Sequence, residues 1–152
     1  MAERVKQSRQ QTAKYALELL RENDPMFVVP NRQQAKNIRV AFAIANKALY
    51  GKAYDIVKIP TGLDLDDAEQ VNQRVKEILI CEIKSTAKKQ VEQNFRKFFF
   101  SLTTAELLVA QNLKDQYRFV FVNTLTGEIV EKRLQEVFQM ARAVYPCWSI
   151  QF

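Results

Sequence analysis

The sequence predicts an α/β fold in which a central mixed sheet is flanked by helices. Strand-like runs rich in β-branched and aromatic residues occur at 53–59, 77–86 and 117–122, separated by segments whose apolar residues recur at helical spacing. The order along the chain is helices, strand, strand, helix, strand, helix, which suits helices layered on one sheet. At 152 residues, 47% of them apolar, the chain can bury one sizeable core, so a single domain over 1–152 is expected.

Residues 3–22 read as the first helix, its apolar stripe clear from Ala13 through Ala16, Leu17, Leu19 and Leu20. Asn23-Asp24-Pro25 stops it, because Pro25 disfavours helical geometry in the residue before it. Met26–Val29 is a short apolar run, a short strand or a buried connector, ended by Pro30. Asn31 can cap a second helix over 32–49, whose alanine-rich apolar set (Ala35, Ile38, Val40, Ala41, Ala43, Ile44, Ala48) suits close packing on a sheet. This helical part ends at Gly51, and the core expected after it covers about 53–122.

Ala53–Ile59 reads as a strand, broken by Pro60-Thr61-Gly62. Asp64, Asp66, Asp67 and Glu69 then lead into a short helix containing Ala68, Val71 and Val75, where acids complement the helix dipole. The glycine of a calcium-binding loop is missing from this cluster. Glu77–Thr86 is the central strand, followed by a polar, basic stretch with Lys88, Lys89, Arg96 and Lys97. Phe98, Phe99 and Phe100 read as core. Thr103 and Glu106 form a capping box that opens a helix to about Asp115, with Leu107, Leu108, Ala110 and Leu113 facing inward. Tyr117–Val122 is a strand turned by Asn123–Gly127. A last helix over 130–144 and an edge strand near 146–150, with Trp148 packed, complete the C-terminal part, about 130–152.

Composition removes whole classes of chemistry. The chain has no histidine, which excludes a Ser-His-Asp triad, histidine-dependent nucleases and zinc sites with histidine ligands. Any metal would be held by oxygen, which favours Mg²⁺ or Mn²⁺. Cys81 and Cys147 lie far apart with no pair spacing, and Cys81 reads as a small buried hydrophobe. No apolar run approaches the ~20 residues of a membrane span. The first six residues lack the apolar stretch of a secretory signal, so a cytoplasmic or nuclear protein without a membrane partner is expected, cytoplasmic first. The net charge of +6 suits a polyanionic partner, bound in a salt-dependent way.

The chemistry concentrates in Asp55 and Glu82-Ile83-Lys84. Side chains alternate along a strand, so Glu82 and Lys84 share one face. An Asp on one strand and a Glu-x-Lys on its neighbour form the minimal constellation of a metal-dependent phosphodiesterase. Asp55, Glu82 and the Ile83 carbonyl would supply hard oxygen ligands. Lys84 would orient or help deprotonate the attacking water and offset phosphate charge. Lys88, Lys89, Arg96 and Lys97 follow directly and would contact DNA phosphates, which gives affinity without sequence information. The competing reading of the triplet is an exposed cross-strand ion pair, worth ~1 kcal/mol or less.

This order of motifs resembles the PD-(D/E)XK, or restriction-endonuclease-like, nuclease superfamily. Within it, the chain is most similar to the subgroup typified by the C-terminal domain of NO VEIN-like proteins. The motifs that carry the resemblance are Ala53-Tyr54-Asp55-Ile56, Glu82-Ile83-Lys84-Ser85-Thr86, Leu102-Thr103-Thr104-Ala105-Glu106 and Tyr117-Arg118-Phe119-Val120, which together cover about 53–122. The resemblance implies a three-layer core and a Mg²⁺-dependent deoxyribonuclease, an endonuclease of restriction or defence type, with Asp55, Glu82 and Lys84 catalytic. It departs from the family pattern in having Tyr54 where a proline precedes the Asp, and in its acidic stretch 64–69, which looks like an insertion. The helix at 32–49 also lacks the acid many relatives carry, leaving Glu18 or Glu22 of the first helix to serve. The alternative is a catalytically inactive module on the same fold that binds nucleic acid or a protein. Cutting both strands of a duplex would make a two-fold homodimer natural.

Overall fold

In the computed structural model, which describes residues 2–51 and 53–152, the chain begins with α1 (Ala2–Asn23), β1 (Phe27–Val28) and α2 (Arg32–Ile44). It continues through β2 (Ile56–Lys58), α3 (Ala68–Gln73) and β3 (Leu79–Thr86). The last elements are α4 (Thr104–Leu113), β4 (Tyr117–Asn123), β5 (Ile129–Lys132) and α5 (Leu134–Met140). The strands form one five-stranded sheet in the order β1-β2-β3-β4-β5. Only β3 and β4 run parallel; the other neighbours are antiparallel, so the sheet is mixed, as expected. Parallel neighbours need a crossover connection, and residues 87–103 with α4 provide it.

The period of two along each strand sorts its side chains between two helical layers. On one face, Ile56, Cys81, Val120 and Val122 pack against Ala16 and Leu20 of α1. On the other, Val57, Ile80, Phe119 and Phe121 join Ile38 and Phe42 of α2, Val109 and Leu113 of α4, and Val137 of α5. The result is three layers with β3 and β4 buried at the centre. Lys58 fastens the α1 layer: its Nζ lies 3.0 Å from Asp24 and 2.7 Å from Glu131, and 4.8 Å from the centre of the Phe27 ring.

The helix starts follow local chemistry. Asn31 and Gln34 form a capping box at α2, and Thr103 and Glu106 form the expected one at α4. Asp67 caps α3 by accepting from the Glu69 and Gln70 amides, so the acidic stretch serves a helix start. The Asn123–Gly127 turn closes with the Gly127 amide on the Asn123 carbonyl, and Gly127 adopts φ +78°.

Several expectations give way to tertiary contacts. The second helix ends at Ile44 rather than 49, where Asn46 takes a left-handed φ of 58° and the Ala48 amide turns to the Asn112 side chain. The strand expected over 53–59 shortens to Ile56–Lys58, and Glu77 falls in a 3₁₀ turn before β3. On α4 the buried set is Glu106, Val109, Ala110 and Leu113, while Leu108 is exposed. Phe98 and Phe100 stack at 5.4 Å and meet Phe121, but Phe99 points outward. The last helix is split, because Ile129–Lys132 pairs with β4 as the return strand of a hairpin. Residues 142–152 form no edge strand, and Trp148 is 87% exposed rather than packed.

Candidate active site

β3 and the residue before β2 bring Asp55, Glu82 and Lys84 together, and the start of α4 adds Glu106. The β2–β3 register pairs Ile56 with Cys81, and its continuation places Asp55 opposite Glu82. Asp55 lies just before β2, so it meets β3 partly through its side chain. Its amide donates to the Cys81 carbonyl at 3.0 Å, and its Oδ2 accepts from the Ile83 amide at 2.9 Å. In an extended strand the N–H and C=O of one residue leave by the same edge. The Ile83 carbonyl therefore emerges on the edge that Asp55 occupies.

Glu82 and Lys84 point into the layer of α2 and α4, and Glu82 is 9% exposed. Lys84 Nζ lies 3.1 Å from Glu82 Oε1 and 2.7 Å from Glu106 Oε2. Glu106 is held for this contact by its capping box. Its amide donates to Thr103 Oγ1 at 3.1 Å, and its Oε2 accepts from the Thr103 amide at 3.2 Å. One carboxylate oxygen thus serves both the helix start and the lysine.

The electrostatics reflect a surplus of acid. Burial pushes the Glu82 carboxyl up to about 8, and the negative charges of Asp55 and Glu106 add to the effect while Lys84 opposes it. Burial also raises the Tyr117 hydroxyl above its ordinary range, with Glu82, Glu106 and Asp55 contributing. That hydroxyl donates to the Ala53 carbonyl and anchors the segment leading to Asp55. Two carboxyl groups therefore contact one ammonium, and the charge of Asp55 acts on the nearer of them, Glu82.

The residues present include hard oxygen donors of the kind Mg²⁺ takes. Among the described residues no three His, Cys, Asp or Glu side chains converge as a ready-made metal cage. Mg²⁺, however, usually takes only one or two carboxylates and completes its shell with water and phosphate. Asp55 Oδ1, Glu82 Oε2 and the Ile83 carbonyl make up that kind of set.

The other predicted residues fall into distinct places. Lys88 and Lys89 are exposed beyond the end of β3. Arg96 and Lys97 are also exposed, but both pair with Glu92, Arg96 at 3.8 Å. Glu18 and Glu22 are exposed on α1, which packs on the opposite face of the sheet, so neither joins the site. The helix-borne carboxylate that contacts Lys84 is Glu106 on α4. Its capping role is legible in Thr-x-x-Glu, but its contact with Lys84 is not. The available signal was its place on the buried 106-109-110-113 stripe, since a buried carboxylate needs a partner. Cys81 faces α1, with burial pushing its thiol up to about 12, and takes no part.

The chain matches no protein-family model, and comparison with curated proteins and with solved structures likewise gave no match.

Proposed function

We propose that the protein is a metal-dependent nuclease of the PD-(D/E)XK type that hydrolyses DNA phosphodiester bonds with Asp55, Glu82 and Lys84. The observation that carries this reading is the meeting of Asp55 and Glu82 across β2 and β3, with Asp55 on the Ile83 amide and Lys84 within 3.1 Å of Glu82. A bound Mg²⁺, or Mn²⁺, would supply Lewis-acid activation of water and phosphate. Asp55, Glu82 and the Ile83 carbonyl would hold it. Lys84 brings a fixed positive charge to the place where the phosphate and the attacking water would lie. Glu106 keeps Lys84 extended toward that place and away from solvent, and so acts as a positioning residue.

The second reading, an inactive nuclease-fold module that binds nucleic acid or a protein, draws on one observation. Both acidic neighbours of Lys84 already bind its ammonium, an arrangement that satisfies the buried charges without a substrate. A plasmid-nicking assay with Mg²⁺ separates the two. Wild type should nick, and Lys84→Ala and Glu82→Ala should not. Full activity in Glu82→Ala would overturn the nuclease reading.

A further inference from the structure

The outer face of α2 carries Arg32, Lys36 and Arg39, four and three residues apart and so on one stripe. All three are exposed, and among the described residues none forms an ion pair with a carboxylate. The helix contains no acidic residue, and its cap is built from neutral Asn31 and Gln34. Like charges at this spacing repel, so the folded chain alone gains nothing from the stripe.

The three cations line a cleft of about 320 Å³ with Leu49 and Tyr54. Tyr54 is half-buried and lines the cleft together with Arg39; burial raises its hydroxyl while the charge of Arg39 pulls the other way. The next residue in the chain is Asp55. A basic, aromatic-walled cleft therefore reaches to the residue before Asp55, a carboxylate of the candidate site. Carboxylates alone would repel a polyanion, and cations alongside them would hold its flanking charges.

We propose that this cleft binds the phosphodiester backbone of DNA, with Arg32, Lys36 and Arg39 on successive phosphates and Tyr54 against the sugar or base nearest Asp55. The inference rests on the nuclease reading of the neighbouring carboxylates. The three positions span about 10 Å along the helix axis, room for about three nucleotides at the axial rise of a duplex strand. This face differs from the basic stretch after β3, where Glu92 already engages Arg96 and Lys97.

The test is fluorescence anisotropy of a labelled DNA duplex in EDTA, titrated across a range of NaCl, so that binding is read without cleavage. The triple variant Arg32→Ala, Lys36→Ala, Arg39→Ala should bind more weakly, with the log–log salt slope reduced by about 2 to 3. The comparison variant Arg9→Ala, Lys14→Ala, Arg21→Ala removes the same charge from exposed positions on α1 and should keep the wild-type slope. Equal losses in both variants, or no loss in the first, would overturn the proposal, as would absence of DNA binding by wild type. Binding through the α2 face without Mg²⁺-dependent nicking would remove only the nuclease reading. Nicking by wild type with an unchanged salt slope in the α2 variant would remove only this one.

Discussion

Lys84 and Glu106 sit 22 positions apart in sequence, yet their charged atoms meet at 2.7 Å in the layer between the central strand and α4. Removing Lys84 leaves two buried carboxyl groups without their cation, and removing Glu106 leaves the Lys84 ammonium with Glu82 alone. Glu106→Ala should cost about 2 to 3 kcal/mol, through one hydrogen bond to a charged group and half of a helix cap. Glu106→Gln keeps an acceptor for the Thr103 amide and should fall between it and wild type. Urea denaturation midpoints check the order. An alanine variant as stable as wild type would contradict the buried-pair account.

The raised Glu82 carboxyl makes stability depend on pH. Between the ordinary glutamate value of 4.5 and about 8, the folded protein holds a proton that the unfolded chain has released. Stability therefore declines as pH rises through that window, on the order of a few kcal/mol in all. Glu82→Gln should remove this decline and gain relative to wild type toward its alkaline end. Denaturation curves at both ends of the window, in metal-free buffer, give the comparison, and identical slopes in the two proteins would refute it.

Asp55 holds the Ile83 amide and, in the proposed nuclease reading, would also hold the metal. Asp55→Asn retains an acceptor for the Ile83 amide, so its stability should stay near wild type. Asp55→Ala leaves that N–H without its partner at the strand edge and should cost about 1 kcal/mol. Both should lose Mg²⁺ binding in calorimetry. Wild-type binding by the asparagine variant would show that this carboxylate is not a ligand.

The two thiols should differ sharply in reactivity. Cys147 is exposed, whereas Cys81 is buried against α1 with its thiol pushed up to about 12. Titration with a chromogenic disulfide should label one cysteine rapidly and the second only on unfolding, because the thiolate is the reactive species. Rapid labelling of both would mean that the α1 layer opens readily.

Local chemistry carried much of the architecture into view. Asn31, Asp67 and Thr103 each cap the helix they precede, and the apolar runs around Ile80 and Phe119 are the two central strands. The pairing of Asp55 with Glu82 followed from strands that could be read directly. What stayed hidden depended on contacts distant in sequence. Ile129–Lys132 has an amphipathic pattern compatible with a helix until β4 supplies a partner edge. Glu18 and Glu22 looked available because nothing in α1 says which face of the sheet it covers. Glu106 was recognised for its neighbour three residues away and not for Lys84, because the crossover that joins them has no local signature.

The double use of Glu106 Oε2 ties two motions together. Helix ends are where native structure opens first. When the first turn of α4 frays, the Thr103 amide and the Lys84 ammonium lose the same acceptor at once. Exchange of a single backbone hydrogen at Thr103 therefore reports how often Lys84 is left to Glu82 alone, a clock for the site that needs neither ligand nor turnover.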